Sequence, residues 1–297
     1  MQLPIVVGVD GSGPSLRAVD WAADEAALRG APLRLVYASL WDRYEGALLA
    51  QELHRPKEEV MAQDVVGTAR LRAERRRPEV PVSTEVLPEE PDHGLVRESR
   101  TALAVVLGCR GRGGVAEALL GSVSLMVAGR AHCPVIVLRG SHDDLSGPHD
   151  ELSGPAPRGP VVLGVGEKPT VSAAARFAAE EAVLRRVPLE AVRAWRRPGH
   201  ATTAHPLLAG EPAHFERERA VEALEEALAD APAGLEVTRR AAEGHARDVL
   251  LAASQEAGLL VVGARRRHGR FGLHLGRVAH GLLHHAACPV AVVPDAC

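Results

Sequence analysis

The sequence predicts an α/β protein of two tandem domains, each a doubly wound, five-stranded parallel sheet. Three observations carry this. Apolar, β-branched runs alternate with segments of helical periodicity, which places parallel strands under helices on both faces. The whole pattern occurs twice. Residues 5–41 align without gaps on residues 161–197, and LAVVLGCRG, LLGSVS and AHCPVIVLR in the first copy face LLVVGARRR, HLGRVA and AACPVAVVP in the second. Between the copies stands GSHDDLSGPHDELSGPAPRGP, residues 140–160, polar and rich in Pro and Gly, which reads as a linker. The predicted domains are therefore 1–139 and 161–297, and 297 residues suit two domains of ordinary size.

In the first copy, Ile5 to Val9 is an apolar strand ending on Asp10. The turn Gly11-Ser12-Gly13 follows, and Pro14 opens a helix that runs to about Arg29 and closes on Gly30. Leu16, Val19, Ala23 and Ala26 recur at helical spacing and face a sheet. Leu33 to Ala38 is the second strand, and residues from about Ala47 to Arg77 are helical with a break at Pro56. Val80 to Leu87 is the third strand, Asp92 to Arg100 a helix, and 102–107 a buried fourth strand. Ser122 to His132 reads as a helix, and Pro134 to Leu138 as the fifth strand.

The stretch between the fourth strand and that last helix, GCRGRGGVAEALLGSVS over Gly108 to Ser124, has the form of an anion cradle. Glycines permit positive φ and let backbone N–H groups approach a ligand without a Cβ in the way. The helix after Gly121 presents its first N–H groups and positive dipole end, and the Ser122 hydroxyl adds a donor. A Gly-rich strand-to-helix turn that binds nothing is the alternative for this stretch taken alone.

The spacing G-x2-G-x9-G-[ST], carried by Gly108, Gly111, Gly121 and Ser122, resembles the nucleotide signature of the ATP-binding branch of the universal stress protein family. The resemblance is strong over 5–38 and 102–138 and covers nearly the full length outside the linker. It implies an adenine-nucleotide-hydrolase-like fold with strand order 3-2-1-4-5, and a ligand above the carboxyl ends of strands 1 and 4, where such sheets switch direction. The implied cofactor is ATP, with or without magnesium. By the family pattern Asp10 contacts the nucleoside, Ala38 offers backbone groups to adenine, and Gly8 is the small residue under the base. Gly108, Gly111, Gly121 and Ser122 hold ribose and phosphates, Gly113, Val123 and Ser124 are counted among the ATP-binding residues, and Arg110 and Arg112 stand beside them as counter-charges or as ordinary surface arginines. Asp10 also has a plain reading, as N-cap or turn residue of the following helix.

The second copy departs from this pattern. Gly166 stands for the Asp, Arg266 for the second glycine and Arg277 for the serine, leaving Gly263 and Gly276. The expectation is a degenerate domain that does not take ATP in the usual way, although the basic run 265–270 leaves a weak phosphate site open. Cys133 and Cys288 occupy matching places before a Pro and an apolar strand and read as buried thiols, and Cys109 sits inside the glycine loop, where a redox role is the minor reading. His280 and His284 are four apart with no third ligand placed by the sequence, so a helical surface is expected rather than a metal site.

Composition narrows the functions further. Net charge of −3 with 25% charged and 46% hydrophobic residues describes a soluble globular chain and argues against nucleic acid or membrane as the main partner. The N-terminus lacks a charged leader and no apolar run approaches a membrane span, so cytoplasm is expected. No GxxxxGK[ST] loop occurs and no Lys lies near the cradle, which argues against a dedicated phosphotransferase. Slow hydrolysis with Asp10 and Ser122 near magnesium is compatible with the residues. A Rossmann fingerprint at Gly111-x-Gly113-x-x-Ala116 fails, because the strand after it carries no acidic residue. The leading expectation is a nucleotide-responsive regulator acting on a protein partner, catalytic residues none. The alternative is an interaction scaffold. The resemblance also implies pairing along the last strands, 134–138 and 289–293, which linkage in one chain favours between the two copies, and a homodimer of the whole chain is a separate expectation.

Overall fold

The computed structural model describes residues 2–40, 57–109, 120–139, 159–166, 172–197, 211–264 and 275–295. The chain forms two compact units, one from each half. In the first, strands β1 (Ile5–Gly8), β2 (Leu33–Ala38), β3 (Val82–Leu87), β4 (Ala104–Gly108) and β5 (Val135–Leu138) make a parallel sheet in the order β3-β2-β1-β4-β5. Helices α1 (Gly13–Arg29) and α2 (Lys57–Arg76) cover one face; α3 (Pro91–Glu98) and α4 (Ser122–Arg130) cover the other. With both faces covered, β1, β4 and β5 read as near-continuous apolar runs, and Ile5, Leu33, Leu35, Val105 and Ile136 are buried to 1% or less.

The second unit repeats the plan. Strands β6 (Val161–Gly164), β7 (Leu189–Trp195), β8 (Val237–Glu243), β9 (Leu259–Ala264) and β10 (Val290–Pro294) are ordered β8-β7-β6-β9-β10, all parallel. Its helices are α5 (Ala173–Arg185), α6 (Glu211–Ala227), α7 (Ala246–Ala253) and α8 (Arg277–His285). The strand order 3-2-1-4-5 therefore holds within each unit. Element ends differ from the sequence reading by one to three residues: β1 stops at Gly8, β3 starts at Val82, and α3 gives way to a 3-10 turn at Ser99–Thr101. The expected helix from Ala47 is described only from Lys57, and the break at Pro56 lies outside the described residues.

Polar anchors recur in both units. Ser99 Oγ donates to Val96 O (2.6 Å) and accepts from His132 N–H (2.9 Å), tying the end of α3 to the start of the segment leading into β5. Ser254 Oγ repeats this with Leu251 O (2.7 Å) and Ala287 N–H (3.0 Å). Glu25 and Glu181, each nearly fully buried, are paired with Arg29 and Arg185 one turn on. Between α1 and α2, Asp20 pairs with Arg72 (2.6 Å), and Asp24 with Arg76 and Arg77 (2.7 Å each); the Asp24 carboxylate raises the Arg76 pKa. At the sheet edges Arg34 of β2 meets Glu85 of β3 (3.4 Å) and Glu98 (2.8 Å), whereas in the second unit Glu190 of β7 meets Arg240 of β8 (2.7 Å), with the signs exchanged.

Helix α1 ends on Gly30 at φ 61°, whose N–H reaches back to the last carbonyls, while α5 ends on Arg186 in the same left-handed conformation, φ 55°. A side chain in that region costs about 1–2 kcal/mol, partly offset by the entropy a glycine adds to the unfolded chain. Arg186→Gly is expected to stabilise the protein by about 0.5–1 kcal/mol in urea denaturation; a loss of stability would show that Arg186 is held by side-chain contacts instead. The buried thiols give a pH prediction. Burial pushes Cys133 and Cys288 from about 9 up to about 12. Their unfolded forms lose the proton first, so the contribution is intact below pH ~9 and is lost as pH rises toward ~12. Denaturation midpoints should fall over that range, and less steeply in Cys133→Ala and Cys288→Ala than in the wild type.

Candidate functional site

The carboxyl ends of β1 and β4 meet two helix starts. After β1, Asp10, Gly11 and Ser12 form a tight turn with Gly11 at φ 78°. Asp10 Oδ1 accepts from Ser12 N–H (2.9 Å) and Ser12 Oγ–H (2.6 Å), and Asp10 N–H donates to Ser15 Oγ (3.4 Å). Ser12 is the N-cap of α1: its side chain accepts from Ser15 N–H, while Ser15 Oγ donates to Ser12 O (2.9 Å). Of the two plain roles open to Asp10, the structure gives it the turn and gives the cap to Ser12. The Asp10 carboxylate is half-buried at the mouth of the strand ends.

After β4, the segment toward α4 is closed at its base by two hydrogen bonds. Gly121 N–H donates to Cys109 O (2.7 Å), and Ser124 Oγ–H donates to Gly108 O (2.8 Å). Helix α4 then starts on Gly121, which has no side chain to cap it, and among the described residues no side-chain acceptor is placed on its first N–H groups. Ser122 is exposed at the first helical position, Val123 is half-buried and Ser124 is buried.

Gly121 has φ −63°, and neither Gly108 nor Gly8 adopts positive φ. At Gly108 and Gly8 a side chain would meet close neighbours. A Cβ on Gly108 would stand 2.6 Å from the carbonyl carbon and 2.7 Å from the carbonyl oxygen of Pro14, so the first turn of α1 rests directly on the end of β4. A Cβ on Gly8 would stand 2.6 Å from Leu107 Cδ2 and 3.0 Å from Leu95 Cδ1 on the opposite face. Ala38 lies two residues past the last β1–β2 pair, Gly8↔Val36, and pairs with Leu87 of β3 on its other side. Asp10, Ala38, Gly108, Gly121 and Ser122 thus share one end of the sheet. Arg110, Gly111, Arg112 and Gly113 lie outside the described residues.

In the second unit the same end is rebuilt. Gly276 caps α8, Arg277 replaces Ser122 and Ala279 replaces Ser124, so the bond that ties α4 to β4 has no counterpart. Helix α5 has 13 residues against 17 in α1, so it starts about 6 Å further from the strand ends. Gly263 is exposed where Gly108 is buried, and among the described residues the nearest atom to a Cβ there would be Ala174 Cβ at 3.7 Å. Arg266 and the run 265–270 lie outside the described residues.

A cavity of about 250 Å3 lies along α3 and the end of α4, lined by Glu89, Asp92, His93, Val96, Arg100 and Arg130 among others. None of its lining residues belongs to the strand-end site. Among the described residues no group of three or more His, Cys, Asp or Glu side chains is placed to hold a metal, and no helix is long and apolar enough to cross a membrane. The His280 and His284 rings stack on α8 with centroids 4.6 Å apart. Sequence reasoning placed Ser12 in the turn and Pro14 at the helix start, but it missed Ser15, the cap formed by Ser12 and the contact of Pro14 with Gly108, which appear only once the turn is folded.

The geometry separates two experiments. Gly108→Ala drives a methyl group into backbone and is expected to destabilise by about 2–4 kcal/mol whether or not a ligand binds there. Ser124→Ala removes one buried hydrogen bond and should lower stability by about 1–2 kcal/mol. Thermal denaturation of both without nucleotide checks this; an unchanged Gly108→Ala melting point would refute the close contact.

Comparison with known proteins follows the same division of the chain. The sequence model of the universal stress protein family matches residues 1–139 and again 157–294. Universal stress protein Rv1996 of Mycobacterium tuberculosis is 32% identical over 310 residues, covering 98% of this chain and 94% of the relative. Universal stress protein Rv2623 of the same organism is 32% identical over 314 residues, covering 99% and 97%. Among solved structures, a universal stress protein from Archaeoglobus fulgidus is similar in fold, with TM-score 0.68 at 14% identity over 98% of both chains.

Proposed function

This chain belongs to the universal stress protein family, and from that premise we propose that its first domain binds ATP at the carboxyl ends of β1 and β4 and acts as a nucleotide-responsive regulator in stress response. The observation that carries the proposal is the meeting of two chemically opposite ends at one place. On one side stands the Asp10 carboxylate, an acceptor that suits the hydroxyl and amine donors of a nucleoside and repels phosphate. On the other side stands the start of α4, with uncapped amides and the exposed Ser122 hydroxyl, which suits a phosphate chain. Gly108 joins them, since it touches α1 through Pro14 and α4 through Ser124. In this reading the backbone of Ala38, beyond the end of β1, meets the base, and Gly8 is the small residue under it.

Gly111 and Gly113, with Arg110 and Arg112, complete the phosphate side in this reading, and magnesium accompanies the triphosphate. The regulatory step is a shift of population: nucleotide binds one conformation of the 108–124 stretch more tightly, and a protein partner or a second copy of the chain reads the surface around α4. No Lys occurs in the 108–124 stretch and no base is positioned among the described residues, so the reading is of a binding protein, with hydrolysis at most slow.

Isothermal titration with ATP and magnesium tests this. About one ATP per chain is expected, with binding weakened at least tenfold in Asp10→Ala. Ser12→Ala disturbs the same turn while keeping the carboxylate, and should bind within about threefold of wild type. Failure of the wild type to bind ATP at millimolar concentration would overturn the proposal and leave a scaffold.

A further inference from the structure

The two mouths differ in more than missing residues. An offset of 156 residues relates the copies and sets Arg193 of β7 where the first unit has the buried Tyr37 of β2. Arg193 is half-buried, and its Nη1 donates to the backbone oxygen of Val165 at 3.2 Å. Val165 directly follows β6, as Val9 follows β1, and the two positions match in detail: Val165 N–H donates to Val192 O and Val9 N–H to Val36 O, both at 2.9 Å. The guanidinium therefore lies across the carboxyl ends of β6 and β7, next to Gly166, the residue that stands for Asp10. At the end of the mouth where the first unit offers a carboxylate acceptor, the second offers a fixed cationic donor.

We propose that Arg193 is a built-in occupant of the second domain's mouth, the residue that excludes a purine nucleoside there and limits the chain to one nucleotide. This rests on the reading that the first mouth takes the nucleoside. Exclusion works in two ways. The side chain lies over the strand ends, with its guanidinium at the Val165 carbonyl beside Gly166, and takes up room that a nucleoside there would need. It also engages the Val165 carbonyl as a donor, so an adenine N6 amine placed there finds that acceptor already taken.

Photolabelling of the full chain with 8-azido-ATP, followed by mass mapping of labelled peptides, reads the two domains separately. In the wild type, label is expected on first-domain peptides, with the second domain below a tenth of that level. Arg193→Ala, and Arg193→Tyr, which installs the side chain that Tyr37 places in the first unit, should each raise second-domain labelling at least fivefold. Arg193→Lys, which keeps a cationic donor, should leave it low. Circular dichroism melts establish that the variants are folded, and a single folded opening variant suffices. First-domain labelling without any second-domain gain in the opening variants would overturn the role of Arg193 alone. Equal labelling of both domains in the wild type would do the same. A gain in the second domain with the first unlabelled would sustain Arg193 and overturn the nucleotide assignment of the first domain; no label on either domain in any variant would overturn both.

Discussion

The first domain depends on a contact between two pieces of backbone. Pro14, in the opening turn of α1, lies so close to the end of β4 that residue 108 has no room for a side chain. That approach brings the Asp10–Ser12 turn and the base of the 108–124 stretch to one point. The Ser124 hydroxyl, reaching back to Gly108 O, then docks α4 on the same residue. Rigid strands thus carry a site assembled from two turns, with a single β4 residue holding their spacing. Apolar packing alone would leave the two helix starts free to slide along the sheet, because dispersion and burial are non-directional.

Periodicity and repetition made the fold legible. Runs such as Ile5 to Val7 and Val105 to Leu107 are apolar at every position because both faces of a parallel sheet are covered, and the second copy gave each reading an independent check. The place of the candidate site was legible as well, since a glycine spacing behind a strand and an Asp after the first strand fall together only at the switch point. What the glycines do was not. From sequence a glycine signals conformational freedom or close approach alike, and at Gly8 and Gly108 close approach is what the fold uses. Ser99 and Ser254 were equally hidden: a lone serine at a helix end gives no hint that its hydroxyl joins two segments 33 residues apart.

The two domains show which parts of a duplicated fold are tied to architecture. The serine bridges, the buried Glu–Arg turns and the sheet order recur in both. The mouth does not. Asp10, Ser122 and Ser124 give way to Gly166, Arg277 and Ala279, and α5 lacks the first turn of α1. Even the helix stop was altered without loss of geometry, with Arg186 holding the left-handed conformation that Gly30 adopts without a Cβ penalty. The features that recur are thus packing and buried polar bonds away from the strand ends, whereas the side chains at the strand ends differ between the copies.

Two similar sheets in one chain raise a problem of identity during folding, because each inner strand can meet the wrong edge strand at high local concentration. The exchanged ion pairs bear on this. Arg34 of β2 sits diagonally across from Glu85 of β3, and Glu190 of β7 from Arg240 of β8. If β3 and β8 traded places, Glu85 would face Glu190 and Arg240 would face Arg34. Each cross-strand charge pair is worth about 0.2–1 kcal/mol, with the opposite sign for like charges, so the trade forfeits two attractions and gains two repulsions. Charge thereby labels each edge strand with the sheet it belongs to, a distinction that the shared apolar pattern of the copies does not make.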